Sequence, residues 1–215
     1  MFGRLTCFCS GSASSAELSG FSKSYPMSMF INKCIRRPLM LTKRSKIITV
    51  VLMVVLGTCM HFVHEHLHEG VFATILGGIF PVNETSWEHM KMIWYPFLAA
   101  GIILSIKTKN SGYFAGFVIS AIGAMLVQLG AFATYQSFTE TSVLIFDILI
   151  YTFSMIVFIL LAFDLAQKQW AQKNLVLWII LAVAVTAGIV YLTYCPGEGY
   201  VFLDNEGLHD HGHEH

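Results

Sequence analysis

Five runs of about twenty apolar residues constrain this chain more than any other feature, because each is long enough to cross the roughly 30 Å hydrocarbon layer of a bilayer as a helix. They lie near 46–66, 88–106, 113–137, 142–165 and 174–194. In hydrocarbon every backbone N–H and C=O has to be satisfied within the protein, which a helix achieves by itself. The predicted fold class is therefore all-α, a polytopic membrane bundle of five transmembrane helices. Composition agrees, with 55% hydrophobic and 12% charged residues against about 25% charged in soluble domains. The expected partner is the lipid bilayer. A formal net charge of zero gives no purchase on nucleic acid, and none is expected.

Between the first two spans lies GVFATILGGIFPV, residues 70–82. It is apolar but too short to cross, and glycines and Pro81 interrupt it. The expectation is a re-entrant or interfacial segment. Residues 1–45 are Ser-rich and basic without a persistent period, and read as a disordered cytoplasmic tail ahead of a transmembrane domain over 46–194. A start at Met40 is an alternative, since MLTKRSKIITVVLMVVLG opens as a short basic region followed by an apolar run. That opening also resembles a signal peptide, but the histidine tract after it is no start of a cleaved protein, and a retained helix is expected. Residues 195–215 form a His-rich tail. The five cysteines make no disulfide framework: Cys7, Cys9 and Cys34 sit in the first tail, Cys59 in an apolar run, and Cys195 alone faces the far side.

Orientation follows from Lys and Arg, which concentrate on the cytoplasmic side of membrane proteins. Of the 13 such residues, the first tail holds seven and Lys46 opens the first span beside it; Lys107 and Lys109 fall in the second-to-third connection, and Lys168 and Lys173 in the fourth-to-fifth. Lys91 alone falls elsewhere. The N-terminus is expected in the cytoplasm and the C-terminus outside.

This orientation gathers the unusual polar residues on the outer side. The first helix ends in HFVHEHLHE, residues 61–69, which contains the H-E-x-x-H pattern of zinc hydrolases over His64–His68. His61, His64, Glu65 and His68 share an arc of about 100° on one helical face. A metal reading with His61, His64 and His89 as ligands to a divalent transition metal follows from that geometry. The bland reading is a helix end that has left the membrane and become wet. His61 is the stronger candidate, because Phe62 and Val63 follow it and keep it near hydrocarbon depth, where ionisable groups cost about 2.5–3.5 kcal/mol at a helix centre and face a partner or cavity. The tail histidines His209, His211, His213 and His215 bind transition metals weakly at best, lacking fixed geometry.

The second polar group is PVNETSWEHMKMIWYP, residues 81–96. Thr85-Ser-Trp-Glu88 is a capping box, in which Thr85 caps the helix and Glu88 reaches back to the Thr85 amide. Trp87, Trp94 and Tyr95 serve as interfacial or packing aromatics. Capping leaves Asn83, Glu84, His89 and Lys91 without a reason. Helix amides and Lys91 would suit an anion, but Glu84 and Glu88 repel one. Those carboxylates, with His61, His89 and the fourth-span Asp147, suit a cation or proton better. Gln128 lies in the outer part of the third span. Asn83-Glu84-Thr85 matches a glycosylation sequon but sits against the membrane, and is set aside.

The same stretch is very similar to the P-V-N-E-S-x-W-E-H-L-K signature of small bacterial integral membrane proteins of the DUF6512 type. The resemblance extends to His61-Phe62, Phe146-Asp147-Ile148, Thr193-Tyr194-Cys195-Pro196 and Phe202-Leu203-Asp204, covering roughly 45–205. It places His61 in the family pattern, whereas positions matching His64 and His68 carry other residue types there, often aromatic. What it implies is that the H-E-x-x-H match is a local coincidence. It supplies an architecture and a residue list, and no reaction.

Three functions remain open. The first is a small transporter or proton/cation-handling protein with an outward-facing site of His61, Asn83, Glu84, Trp87, Glu88, His89, Lys91 and Asp147; a broken segment before a full helix is the kind of feature that lines a pathway. Five helices are few for a transporter, so a homodimer is expected. The second is a membrane-embedded hydrolase or transferase on lipid or envelope substrates, using the cluster as metal ligands or an acid/base pair. The third is a non-catalytic accessory protein whose polar groups only join helices.

Overall fold

The computed structural model describes residues 41–64, 76–83, 85–139, 143–197 and 202. Five long helices and one short one are found among them: α1 (Lys43–His64), α2 (Met90–Thr108), α3 (Gly112–Thr139), α4 (Leu144–Leu165), α5 (Gln169–Gln172) and α6 (Leu175–Tyr194). No strand occurs among the described residues. All the long helices are long and apolar enough to cross a membrane. They match the expected spans to within a few residues at each end and fit a multi-pass membrane protein.

Helix α3 is the centre of the bundle and packs lengthwise on both α2 and α4, while α1 lies across α2 and α4, and α6 touches α3 more lightly. Burial is greatest in α2 and α3, with 56% and 44% of their membrane windows buried, and least in α6, with 11%. On α2 the buried residues Met90, Trp94, Phe97, Gly101 and Leu104 recur every three or four positions, which puts them on one helical face. Phe117 of α3 joins the elements, with ring centroids 5.8 Å from Phe97 and 5.5 Å from Phe163 of α4.

Lipid tails are as apolar as leucine, so burying apolar surface does not by itself drive helices together in a bilayer; close packing does. Two places show it. On α3 the small residues Gly112 and Gly116 face α4, and a Cβ added at Gly116 would lie 2.7 Å from the Ala162 carbonyl oxygen. The second begins with Pro96 inside α2. A proline has no N–H to offer the carbonyl four residues back, which leaves that of Met92 without its helical donor. Here α1 comes in through Gly57, where a Cβ would sit 2.7 Å from the Met92 oxygen and collide with the Tyr151 hydroxyl. Sequence, backbone and packing thus meet at one point: proline opens the helix surface and glycine lets the neighbour approach it.

At the end of the bundle opposite the histidines, the α2–α3 turn is closed by Lys109 in the left-handed region (φ 54°) and by the Asn110 side chain accepting the Gly112 N–H at 2.9 Å. The Ser111 hydroxyl donates to the Gln172 carbonyl at 3.0 Å, which holds α5 under α3.

Candidate functional site

The segment before α2 does not run straight into it. The Leu76 carbonyl accepts the N–H groups of Ile79 (2.9 Å) and Phe80 (2.8 Å), closing a tight turn. Gly77, Gly78 and Pro81 are buried. Irregular backbone buried in a protein has to be satisfied by protein groups, and two side chains from α2 do so. The Lys91 ammonium donates to the Gly77 carbonyl at 2.6 Å and the Phe80 carbonyl at 3.4 Å. One turn further on, the Tyr95 hydroxyl donates to the Gly78 carbonyl at 2.5 Å. The segment therefore lies beside the first turn and a half of α2.

Lys91 is fully buried, and its charge is met by Glu88 one turn earlier, 2.5 Å away. The Glu88 carboxylate also accepts the Val82 N–H at 2.9 Å, and its other oxygen lies 3.3 Å from the Thr193 hydroxyl of α6, whose one proton is shared with the nearer Ile189 carbonyl at 2.9 Å. The three ammonium protons thus have three acceptors. An ion pair buried this deeply stabilises only when its remaining donors and acceptors are filled, and here they are.

The sequence-based capping box is only half formed. Thr85 Oγ1 accepts the Glu88 N–H at 3.3 Å, as a cap should. Glu88 does not reach back to the Thr85 amide, however; Asn83 Oδ1 takes that amide (3.3 Å) and the Thr85 hydroxyl (2.8 Å). Lys91 outcompetes the cap for the Glu88 carboxylate because a buried cation needs a counter-charge more than an amide needs a second acceptor. Lys91 is thereby committed to Glu88 and two carbonyls, and the anion reading of this helix start loses its cation. Residues 86–89 form turns bonded from residue i+3 back to i, such as Met90 N–H to the Trp87 carbonyl at 3.0 Å, before the α-helix proper begins.

A second cluster stands beside the first. His89 Nδ1 lies 2.8 Å from the Thr85 carbonyl oxygen. A carbonyl only accepts, so Nδ1 carries a proton, and in the neutral form of the ring the lone pair belongs to Nε2. The His61 ring of α1 lies 5.4 Å from the His89 ring, centroid to centroid, tilted by 35°. On the other side of His89 the Phe132 ring of α3 meets it edge-on at 6.2 Å, and Phe132 packs on Tyr135 at 6.0 Å. The Tyr135 hydroxyl donates to the Asp147 carboxylate of α4. Gln128, one turn before Phe132, is fully buried, and neither atom of its amide has a hydrogen-bond partner among the described residues.

Of the residues singled out from sequence, Glu88, Lys91 and Asn83 belong to the locked segment, His61 and His89 to the imidazole pair, and Asp147 to Tyr135. Trp87 packs on Phe202 at 5.6 Å. Glu84, Glu65, His66, His68, Glu69 and the tail histidines lie outside the described residues, as does the side chain of His64. Among the described residues no three of His, Cys, Asp and Glu converge as metal ligands would. Sequence reasoning missed Tyr135, Phe132 and the part played by Thr193. Tyr135 was open to discovery, since it follows Gln128 by seven positions and so falls on the same face of α3.

A family model described as a family of unknown function, DUF6512, matches residues 36–208, and the chain belongs to that family. No curated protein and no solved structure matches it.

Proposed function

We propose that this DUF6512 member is a small transport or proton/cation-handling membrane protein whose working groups are His61 and His89, with Tyr135 and Asp147 beside them. The observation that carries this reading is the 5.4 Å approach of two imidazoles brought from separate elements. Ionisable groups within a membrane bundle are costly and mark ion or proton routes. Glu88, which the sequence offered as a site carboxylate, supports the reading differently: neutralised by Lys91, it fixes the short segment beside the site. Lys43, Lys46, Lys107, Lys109, Lys168 and Lys173 lie at the opposite end of the helices from His61, which supports an outward-facing histidine end. The lightly buried α6 offers a face to lipid or to a second copy in a dimer.

The test is purified protein in proteoliposomes that enclose pH-sensitive and metal-sensitive dyes. A proton or divalent-ion gradient imposed across them is expected to dissipate faster than in protein-free vesicles. Equal rates with and without protein would remove the transport reading.

A further inference from the structure

The separation of the two histidine rings is one that a shared metal ion would also give. Two imidazoles bound to one tetrahedral ion at about 2.0–2.1 Å hold their ring centroids roughly 5 Å apart; those of His61 and His89 are 5.4 Å apart. His89 is also fixed in orientation, because its Nδ1–H is spent on the Thr85 carbonyl at 2.8 Å and its lone pair lies on Nε2. Metal-binding histidines almost always have such an outer hydrogen bond, which sets the tautomer and raises the basicity of the ligating nitrogen. We propose that His61 and His89 together capture one divalent transition-metal ion of the Zn²⁺, Co²⁺, Ni²⁺ or Cu²⁺ class. This inference rests on the cation-handling reading and names the ion.

The ligand chemistry selects that class. Imidazole suits Zn, Ni and Cu, whereas Mg²⁺ and Ca²⁺ call for several oxygen ligands. Among the described residues, the carboxylates at this end have other partners: Glu88 is paired with Lys91 and accepts the Val82 N–H, and Asp147 accepts from Tyr135. Structural zinc sites use four protein ligands and catalytic ones three. Two imidazoles alone would hold an ion more loosely than either kind of zinc site, as suits a site that takes up and releases ions. A packing contact between rings falls in the same distance range, and so would two imidazoles sharing one proton, so the test has to separate these from a metal.

The test titrates the full chain, purified in detergent, with Co²⁺ and reads the visible absorption of the bound ion. The other histidines compete, so the background carries His64, His66, His68, His209, His211, His213 and His215 changed to Asn. One equivalent of cobalt is expected. His61→Ala or His89→Ala should raise the dissociation constant by at least the roughly 10- to 100-fold that loss of an outer hydrogen bond alone costs a metal site. His89→Cys should restore binding and add a thiolate-to-cobalt charge-transfer band, a signature that a packing role cannot produce. Gel-filtration profiles identify any variant that fails to fold, in which case the His89→Cys spectrum decides. No bound equivalent, or one that neither alanine variant weakens, would overturn the proposal. Histidine-dependent proton flux in vesicles without cobalt binding would also overturn it, while leaving the cation-handling reading in place.

Discussion

The Nζ atom of Lys91 lies 2.5 Å from Oε2 of Glu88, with both side chains almost wholly buried. The pair joins three pieces of chain: α2 itself, the 76–83 segment through the Gly77, Phe80 and Val82 backbone, and α6 through Thr193. Removing one partner strands a buried charge. We therefore expect Lys91→Met to destabilise by about 3–5 kcal/mol, read as a lower unfolding temperature in detergent. The double variant Glu88→Gln/Lys91→Met should recover part of that loss, since neither charge is then stranded. Additive losses in the double-mutant cycle would show that the two groups do not depend on one another.

Tyr95 tests the same clamp more gently. Tyr95→Phe removes only the hydroxyl bonded to the Gly78 carbonyl and leaves the ring in place. A cost of about 0.5–1.5 kcal/mol is expected, with the oligomeric state unchanged in gel filtration. A loss as large as that of Lys91→Met would mean that the hydroxyl secures the segment far beyond one neutral hydrogen bond, and no loss would mean that the bond to Gly78 does not hold the segment.

Much of this fold is legible in the sequence, and the reason is specific. A bilayer converts apolar run length directly into helix length, so the five spans need no knowledge of their neighbours. The Glu88–Lys91 pair is a different case. Thr85-Ser-Trp-Glu88 satisfies a local capping rule, but which group wins the Glu88 carboxylate depends on Lys91 being driven inward, and that depends on the Gly77 carbonyl fourteen residues upstream. The Tyr135–Asp147 contact has the same character: it exists because α3 and α4 return antiparallel, side by side, which residue spacing alone does not fix. His61 and His89 were each visible as candidates, whereas their meeting was a property of the bundle.

Two glycines separate close approach from open surface. Gly57→Ala would press a methyl group against the Met92 carbonyl and the Tyr151 hydroxyl, and is expected to cost about 1–3 kcal/mol as overpacking. At Gly130 nothing lies within 4 Å of an added Cβ, so Gly130→Ala should be neutral or stabilise by about 0.4–1 kcal/mol. Thermal unfolding of the two variants side by side checks the α1–α2 contact; equal behaviour would count against it.

Helix α6 is little buried but is tied to α2 by the Trp94 indole N–H, which donates to the Thr186 hydroxyl at 3.0 Å. Hydrogen bonds between membrane helices average about 0.6 kcal/mol. Thr186→Val keeps the shape and removes the acceptor, so a loss of that size is expected in chemical denaturation. A much larger loss would assign Thr186 a role beyond this bond.

The polar residues at this end of the bundle divide into a clamp, built on Lys91, Glu88 and Tyr95, and the proposed working pair, His61 and His89. One measurement addresses that division directly: initial ion flux into proteoliposomes containing equal amounts of folded wild type, Tyr95→Phe, His61→Ala or His89→Ala protein. Flux near the wild-type rate is expected for Tyr95→Phe, and a loss of about tenfold or more for each histidine variant, as for a missing acid–base or ligand group. Histidine variants that carry ions as fast as the wild type, with Tyr95→Phe alone impaired, would contradict that division.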